Sequence, residues 1–257
     1  MGFLTTDSLG LHCQLSDRLH ARTSVPLLLL HGAGGSSRQW RWLVAELPPW
    51  VAPIIVDLPG HGASPGPVPD SLDRAVERIE ALLSGVALNA PLAVAGHSVG
   101  GMIALRLALS MGRSVSHLGL VATAATIRPN PRLLEQLAGC APDDRFVRDA
   151  FSDRVPEERI RLVVEDFGRT RLRAGADDFM DIGARDLLPG LGALTMPALV
   201  LVANGDPVIS PRRSRALAAG LPGARLVALD GGHYLHIERP GEVAAELVAL
   251  LRDGGER

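Results

Sequence analysis

The segment that most limits how this chain can fold runs from Pro91 to Met111 and reads P-L-A-V-A-G-H-S-V-G-G-M-I-A-L-R-L-A-L-S-M. Leu92 to Ala95 is a short apolar run, the pattern of a strand buried on both faces of a parallel sheet. Met102, Ile103, Leu105, Leu107 and Leu109 then recur at helical spacings, with no proline to stop them. Between the two lies Gly96-His97-Ser98-Val99-Gly100, a G-x-S-x-G. A strand before it and a helix after it are the setting in which that motif works as a nucleophile elbow. So sharp a turn forces an unfavourable backbone angle on Ser98, and small neighbours let strand and helix approach. The serine hydroxyl is pushed clear of the sheet, with a helix N-terminus aimed at any oxyanion formed beside it.

The rest of the chain repeats this alternation. Val25–Leu30, Val51–Val56, Leu118–Ala122, Pro197–Ala203 and Arg225–Leu229 read as strands. Helices are predicted from Ser36 or Ser37 to Leu47, and over Ser71–Leu83, Pro211–Ala219 and Gly241–Leu251. Strands alternating with helices predict an α/β fold with a mostly parallel sheet covered on both faces. Phe3–Asp7 and Leu11–Ser16 suit an antiparallel hairpin at one edge. The rhythm breaks over 128–188, where no strand is legible. Arg132–Leu137, Asp144–Phe151 and Glu157–Phe167 have helical periodicity there, with Ile160, Val163, Val164 and Phe167 on one face. These helices are expected to cover the strand ends. Leu133, Leu134, Phe146, Phe151, Phe179 and Met180 would make that cover apolar, and Arg169, Arg171 and Arg173 would sit on its solvated surface.

The loops after the strands carry the chemistry. His31-Gly32-Ala33-Gly34-Gly35-Ser36-Ser37 is glycine-rich but has Ser37 where G-x-G-x-x-G needs its third glycine. A phosphate-binding G-x-x-x-x-G-K-[ST] needs a lysine, and all 26 basic residues are arginine. Asp57 and His61, in D-L-P-G-H-G-A-S, suit a tight turn whose side chains satisfy loop backbone groups. N-G-D-P-V and G-G-H-Y-L-H follow two later strands, where open α/β sheets place their sites, so Asp206 and His233 can meet Ser98 in the chain order Ser, Asp, His. His236 is a rival base three residues on, expected to turn away with the I-E-R-P segment.

With these five motifs in this order, the chain resembles the α/β-hydrolase family over nearly its whole length. The resemblance implies an α/β-hydrolase fold: residues 1–127 and 189–257 as the core, with a helical cap, 128–188, inserted in it. It implies Ser98 as nucleophile, Asp206 as triad acid and His233 as base, with the backbone N–H groups of Ala33 and Val99 as the oxyanion hole. The activity expected is cleavage of a small, mainly hydrophobic carboxylic ester through an acyl-enzyme. Lactone or enol-lactone hydrolysis and acyl-thioester hydrolysis use the same triad and stay open. Carbon–carbon bond hydrolysis is less expected, because H-G-A-G-G lacks the S-G-P-G pattern. Serine at position 98 argues against the family's dehalogenases and epoxide hydrolases. A cofactor-free lyase or oxygenase, or a ligand-binding receptor, would be built on the same scaffold.

Composition narrows the partners. The chain has 257 residues, 47% of them hydrophobic, and a net charge of −2, which argues against a nucleic-acid partner. Its longest apolar runs are too short to cross a membrane, and Met1 to Ser8 lacks the basic segment of a secretory leader. Cys13 and Cys140 form no disulfide framework, so a reduced, cytoplasmic compartment is expected. His31, His61 and His97 lack metal-ligand spacing. A small-molecule substrate is expected, with no cofactor and no metal; the oligomeric state is open. Abundant Ala, Gly, Leu and Arg suggest a GC-rich bacterial source.

Overall fold

A computed structural model describes residues 2–6, 10–127, 144–171 and 185–253. Its centre is an eight-stranded sheet of β1 (Gly2–Thr6), β2 (Leu11–Leu15), β3 (Val25–Leu30), β4 (Val51–Val56), β5 (Leu92–His97), β6 (Val115–Val121), β7 (Ala198–Ala203) and β8 (Arg225–Leu229). The spatial order is β1-β2-β4-β3-β5-β6-β7-β8. β1 and β2 form the expected antiparallel edge, and β3 to β8 run parallel. The helices are α1 (Arg41–Ala45), α2 (Leu72–Ser84), α3 (Val99–Met111), α4 (Arg145–Asp149), α5 (Glu157–Arg171), α6 (Pro211–Gly220), α7 (Leu235–Glu238) and α8 (Pro240–Arg252).

Each buried strand feeds two cores through its period of two. Leu28 and Leu30 enter the cluster shared with α2, α3 and α6, while Leu27 and Leu29 enter the one shared with Trp40, Leu43 and α8. This is why the strands read as continuous apolar runs. A third cluster joins Val147 and Phe151, around α4, and Leu162 and Val163 of α5 to Tyr234 and Ile237 beyond β8.

The topology also fixes the site. The chain leaves β3 outward to β4 and then returns to place β5 on the other side of β3. Loops after β3 and β5 therefore diverge, opening a crevice at the carboxyl ends of the strands.

Three expectations need correction. The helix expected to reach Leu47 is a 3₁₀ turn, Ser37–Trp40, followed by the short α1. It stops early because Leu47 precedes Pro48, which disfavours helical backbone. β5 extends past Ala95 to His97, since Gly96 and His97 still pair with Leu120 and Val121. The buried face of α5 is Leu162, Val163, Asp166 and Thr170, with Ile160, Val164 and Phe167 only half-buried. That face is turned because α5 lies against both Tyr234 and the loop after β3. Leu133, Leu134, Phe179, Met180, Arg173 and the helix expected over Arg132–Leu137 lie outside the described residues. Arg169 is exposed. No helix among the described residues is long and apolar enough to cross a membrane.

Candidate active site

Ser98 sits between β5 and α3 with φ 52° and ψ −121°, a region non-glycine residues rarely enter. The surroundings hold it there. Its N–H donates to Val121 O at 3.1 Å, and its carbonyl accepts from Gly101 N–H at 2.9 Å and from the Thr123 hydroxyl at 2.6 Å. A Cβ on Gly96 would overlap the Gly100 carbonyl, and one on Gly100 would overlap the carbonyl oxygens of Leu30 and His31. The glycines of the motif are thus set by backbone crossing backbone.

Asp206 and His233 arrive from the loops after β7 and β8 and meet each other. His233 Nδ1 lies 2.8 Å from Asp206 Oδ2, and both side chains are almost fully buried. The other carboxylate oxygen of Asp206 accepts the N–H groups of Val208 and Ile209, both at 2.8 Å, so the carboxylate is fixed from two sides. His233 is anchored by its N–H to Ala150 O at 2.7 Å. Its carbonyl accepts from Nε2 of His97, the residue before Ser98, at 2.9 Å, and the two rings are 4.6 Å apart. His236 is fully buried, with ring centroids 4.4 Å from both Trp40 and His97. Burial pushes its pKa down to about 3. That suits packing rather than proton transfer.

The loops after β3 and β4 brace one another. Asp57 accepts from Ser37 N–H at 2.5 Å and Ala63 N–H at 2.8 Å. His61 Nδ1 donates to Pro59 O and its Nε2 accepts Gly34 N–H. His31 donates to Gly32 O and accepts Leu58 N–H. Asp57 and His61 thus serve the turn, as their motif suggests. Gly34 and Gly35 spend their N–H groups on His61 and Gly32 O. Val99 opens α3, where an N–H has no acceptor within the helix. Ala33 and Val99 are part-exposed among buried neighbours. Beside them lies a cavity of about 20 Å³, lined chiefly by apolar side chains including Leu58, Val68, Pro69 and Ile103. No group of three metal-ligating side chains occurs among the described residues.

Two residues here escape sequence reasoning. Glu238 accepts from Gly232 N–H at 3.0 Å and from the Ser152 N–H and hydroxyl, tying the His233 loop to the segment after α4. Asp166 of α5, 3% exposed, is bound by Ser36, Arg38 and Gln39. One signal could have found it: Asp166 follows Leu162 and Val163 at helical spacing, a carboxylate on an apolar face.

Residues 27–246 match the alpha/beta hydrolase family. The magnesium-chelatase 30 kDa subunit of Rhodobacter capsulatus is 32% identical over 242 residues, covering 86% of this chain and 82% of that protein. A pimeloyl-[acyl-carrier protein] methyl ester esterase of Neisseria meningitidis is 26% identical over 261 residues, covering 93% and 99%. The chain spans only 45% and 63% of two further relatives. The enol-lactonase from Burkholderia xenovorans LB400 superposes with a TM-score of 0.86 at 22% identity, over 98% of this chain and all of that one, a likeness of fold.

Proposed function

The chain belongs to the alpha/beta hydrolase family, and on that footing we propose that it cleaves a small, mainly hydrophobic carboxylic ester with Ser98, His233 and Asp206. The observation that carries this is the buried Asp206–His233 pair, 2.8 Å apart, coupled through His97 to the strained turn at Ser98. A hydroxyl is a weak nucleophile until a base takes its proton. Asp206 engages Nδ1 of His233, which leaves Nε2 to accept the Ser98 proton, and it stabilises the imidazolium that results. Ser98 Oγ then bonds to the ester carbon. The oxyanion takes hydrogen bonds from Ala33 and Val99 N–H, each such donor being worth about 3 kcal/mol. Collapse expels the alcohol, which leaves with the proton held by His233. Water, deprotonated by His233, attacks the acyl-enzyme and releases the carboxylic acid and free Ser98.

The apolar side chains beside Ala33 and Val99, Leu58, Val68, Pro69 and Ile103, support an uncharged group next to the ester carbonyl. A relative described as a methyl ester esterase, matched over 99% of its length, supports an ester as substrate. Residues 128–188 act as a cap, a role supported by the packing of α4 and α5 on Tyr234 and Ile237. The test is turnover of p-nitrophenyl esters, lactones and acyl thioesters by the wild type and Ser98→Ala. Uncharged short and medium esters are expected to lead, with Ser98→Ala inactive on all. A lead for lactones or thioesters would replace the substrate class, and full activity in Ser98→Ala would remove the mechanism.

A further inference from the structure

The loop carrying Ala33 is held from both sides. From the sheet side it is braced by His31, His61 and Asp57. From the other side α5 reaches it. The Ser36 hydroxyl donates to Asp166 Oδ2 at 2.6 Å, Arg38 Nη1 to Oδ1 at 3.1 Å and Gln39 Nε2 to Oδ2 at 3.4 Å. One turn of α5 further on, the Thr170 hydroxyl donates to Asp166 O, and the Phe167 ring fills the space where Gly34, at φ +72°, would carry a Cβ.

We propose that Asp166 is a positioning residue, which sets the 31–37 loop from α5 so that the Ala33 N–H meets the developing oxyanion. This rests on the serine-hydrolase reading of Ser98. A buried carboxylate costs several kcal/mol to desolvate, and helix packing alone is served better by a leucine, as at Leu162. Hydrogen bonds supply what burial cannot: direction. All three side chains bonded to the Asp166 carboxylate come from the end of the Ala33 loop and the turn that follows it. Ser36 is also the N-cap of that turn, its hydroxyl accepting from Arg38 N–H. One hydroxyl thus joins α5, the turn and the loop. Burial raises the Asp166 pKa, while Ser36 and Arg38 oppose the rise.

The test compares Asp166→Ala, Asp166→Asn and Ser36→Ala, with kcat expressed per serine that reacts with a fluorophosphonate. An alkyl trifluoromethyl ketone, whose hemiketal with Ser98 carries an oxyanion, reports on the hole separately from ester KM. Removing a whole oxyanion donor costs ~10²–10³ in kcat. A loop still braced from the sheet side should lose about tenfold. We expect that loss in kcat, and an equal weakening of ketone inhibition, in Asp166→Ala and Ser36→Ala, with KM within about twofold. Asp166→Asn, which can still accept from Ser36, should lose less, and it carries the test if Asp166→Ala fails to fold. The Ser36→Ala/Asp166→Ala double variant should be no worse than the worse single one. Unchanged ketone inhibition, or losses that multiply in the double variant, would overturn the positioning role. A wild type that neither labels nor turns over would instead remove the Ser98 reading, and this inference with it.

Discussion

Gly100→Ala tests the packing that places Ser98. In an exposed helix this change would gain about 1 kcal/mol from backbone entropy. Here the new Cβ would overlap the Leu30 and His31 carbonyl oxygens and lie 2.7 Å from the Leu30 carbonyl carbon. These are backbone atoms of β3 and its loop, so no rotamer change relieves the contact. Overpacking typically costs 1–3 kcal/mol, and rigid neighbours place this case near ~3. The net loss is about 2 kcal/mol, a fall in Tm of about 4–8 °C for a chain of this size. Separating α3 from β3 also moves Val99 from Ala33, and misplacement by about 1 Å can cost ~10² in rate. Thermal denaturation and kcat/KM on a p-nitrophenyl ester read both effects. A Tm equal to or above the wild type, with activity retained, would refute the claim that the crossing of α3 and β3 sets the site.

His233→Ala should lower kcat by at least ~10³, while His236→Ala, removing a packed ring, should lower Tm more than kcat; the reverse order would move the base to His236. His236 also predicts how stability depends on pH. Its folded pKa, about 3, lies below the unfolded value of ~6.5, so its neutral form belongs to the folded state. Its contribution is full above ~6.5 and is lost as pH falls from there toward 3, at about 1.4 kcal/mol per unit. The denaturation midpoint should therefore fall between pH 7 and 5, and less steeply in His236→Leu; identical slopes would contradict this. Cys13 is buried and its thiol pKa is pushed up to about 12, so iodoacetamide should spare it in native protein and modify it after unfolding. Rapid native labelling, mapped by mass spectrometry, would contradict that burial.

What the sequence discloses follows from how local each determinant is. Ser98 is legible because strand, turn and helix are contiguous, and Gly96 records a crossing with the backbone of Gly100 and Gly101 a few residues on. Asp206 and His233 are legible because loops after parallel strands converge at the carboxyl ends of those strands, although their separation of 27 positions says nothing of the 2.8 Å contact. Asp166 is only half legible: its place beside Leu162 and Val163 on an apolar face marks it as a carboxylate out of place, but its partner Ser36 lies 130 residues earlier and nothing local names it. Glu238 is hidden, bonded to Ser152 from 86 residues away. The face of α5 is misjudged for a related reason. Apolar periodicity alone cannot show that a buried carboxylate and the Thr170 hydroxyl, which bonds the backbone of its own helix, belong to the packed side.

The most direct test of the central claim is intact-mass and peptide analysis of the protein after reaction with an alkyl fluorophosphonate. Ser98 is expected to be the one residue modified, with one phosphonyl group per chain and loss of esterase activity in proportion. His233→Ala should react far more slowly, because the hydroxyl would then lack its base. Modification of another residue with Ser98 left free, or full esterase activity in the fully labelled protein, would contradict the assignment of Ser98 as nucleophile.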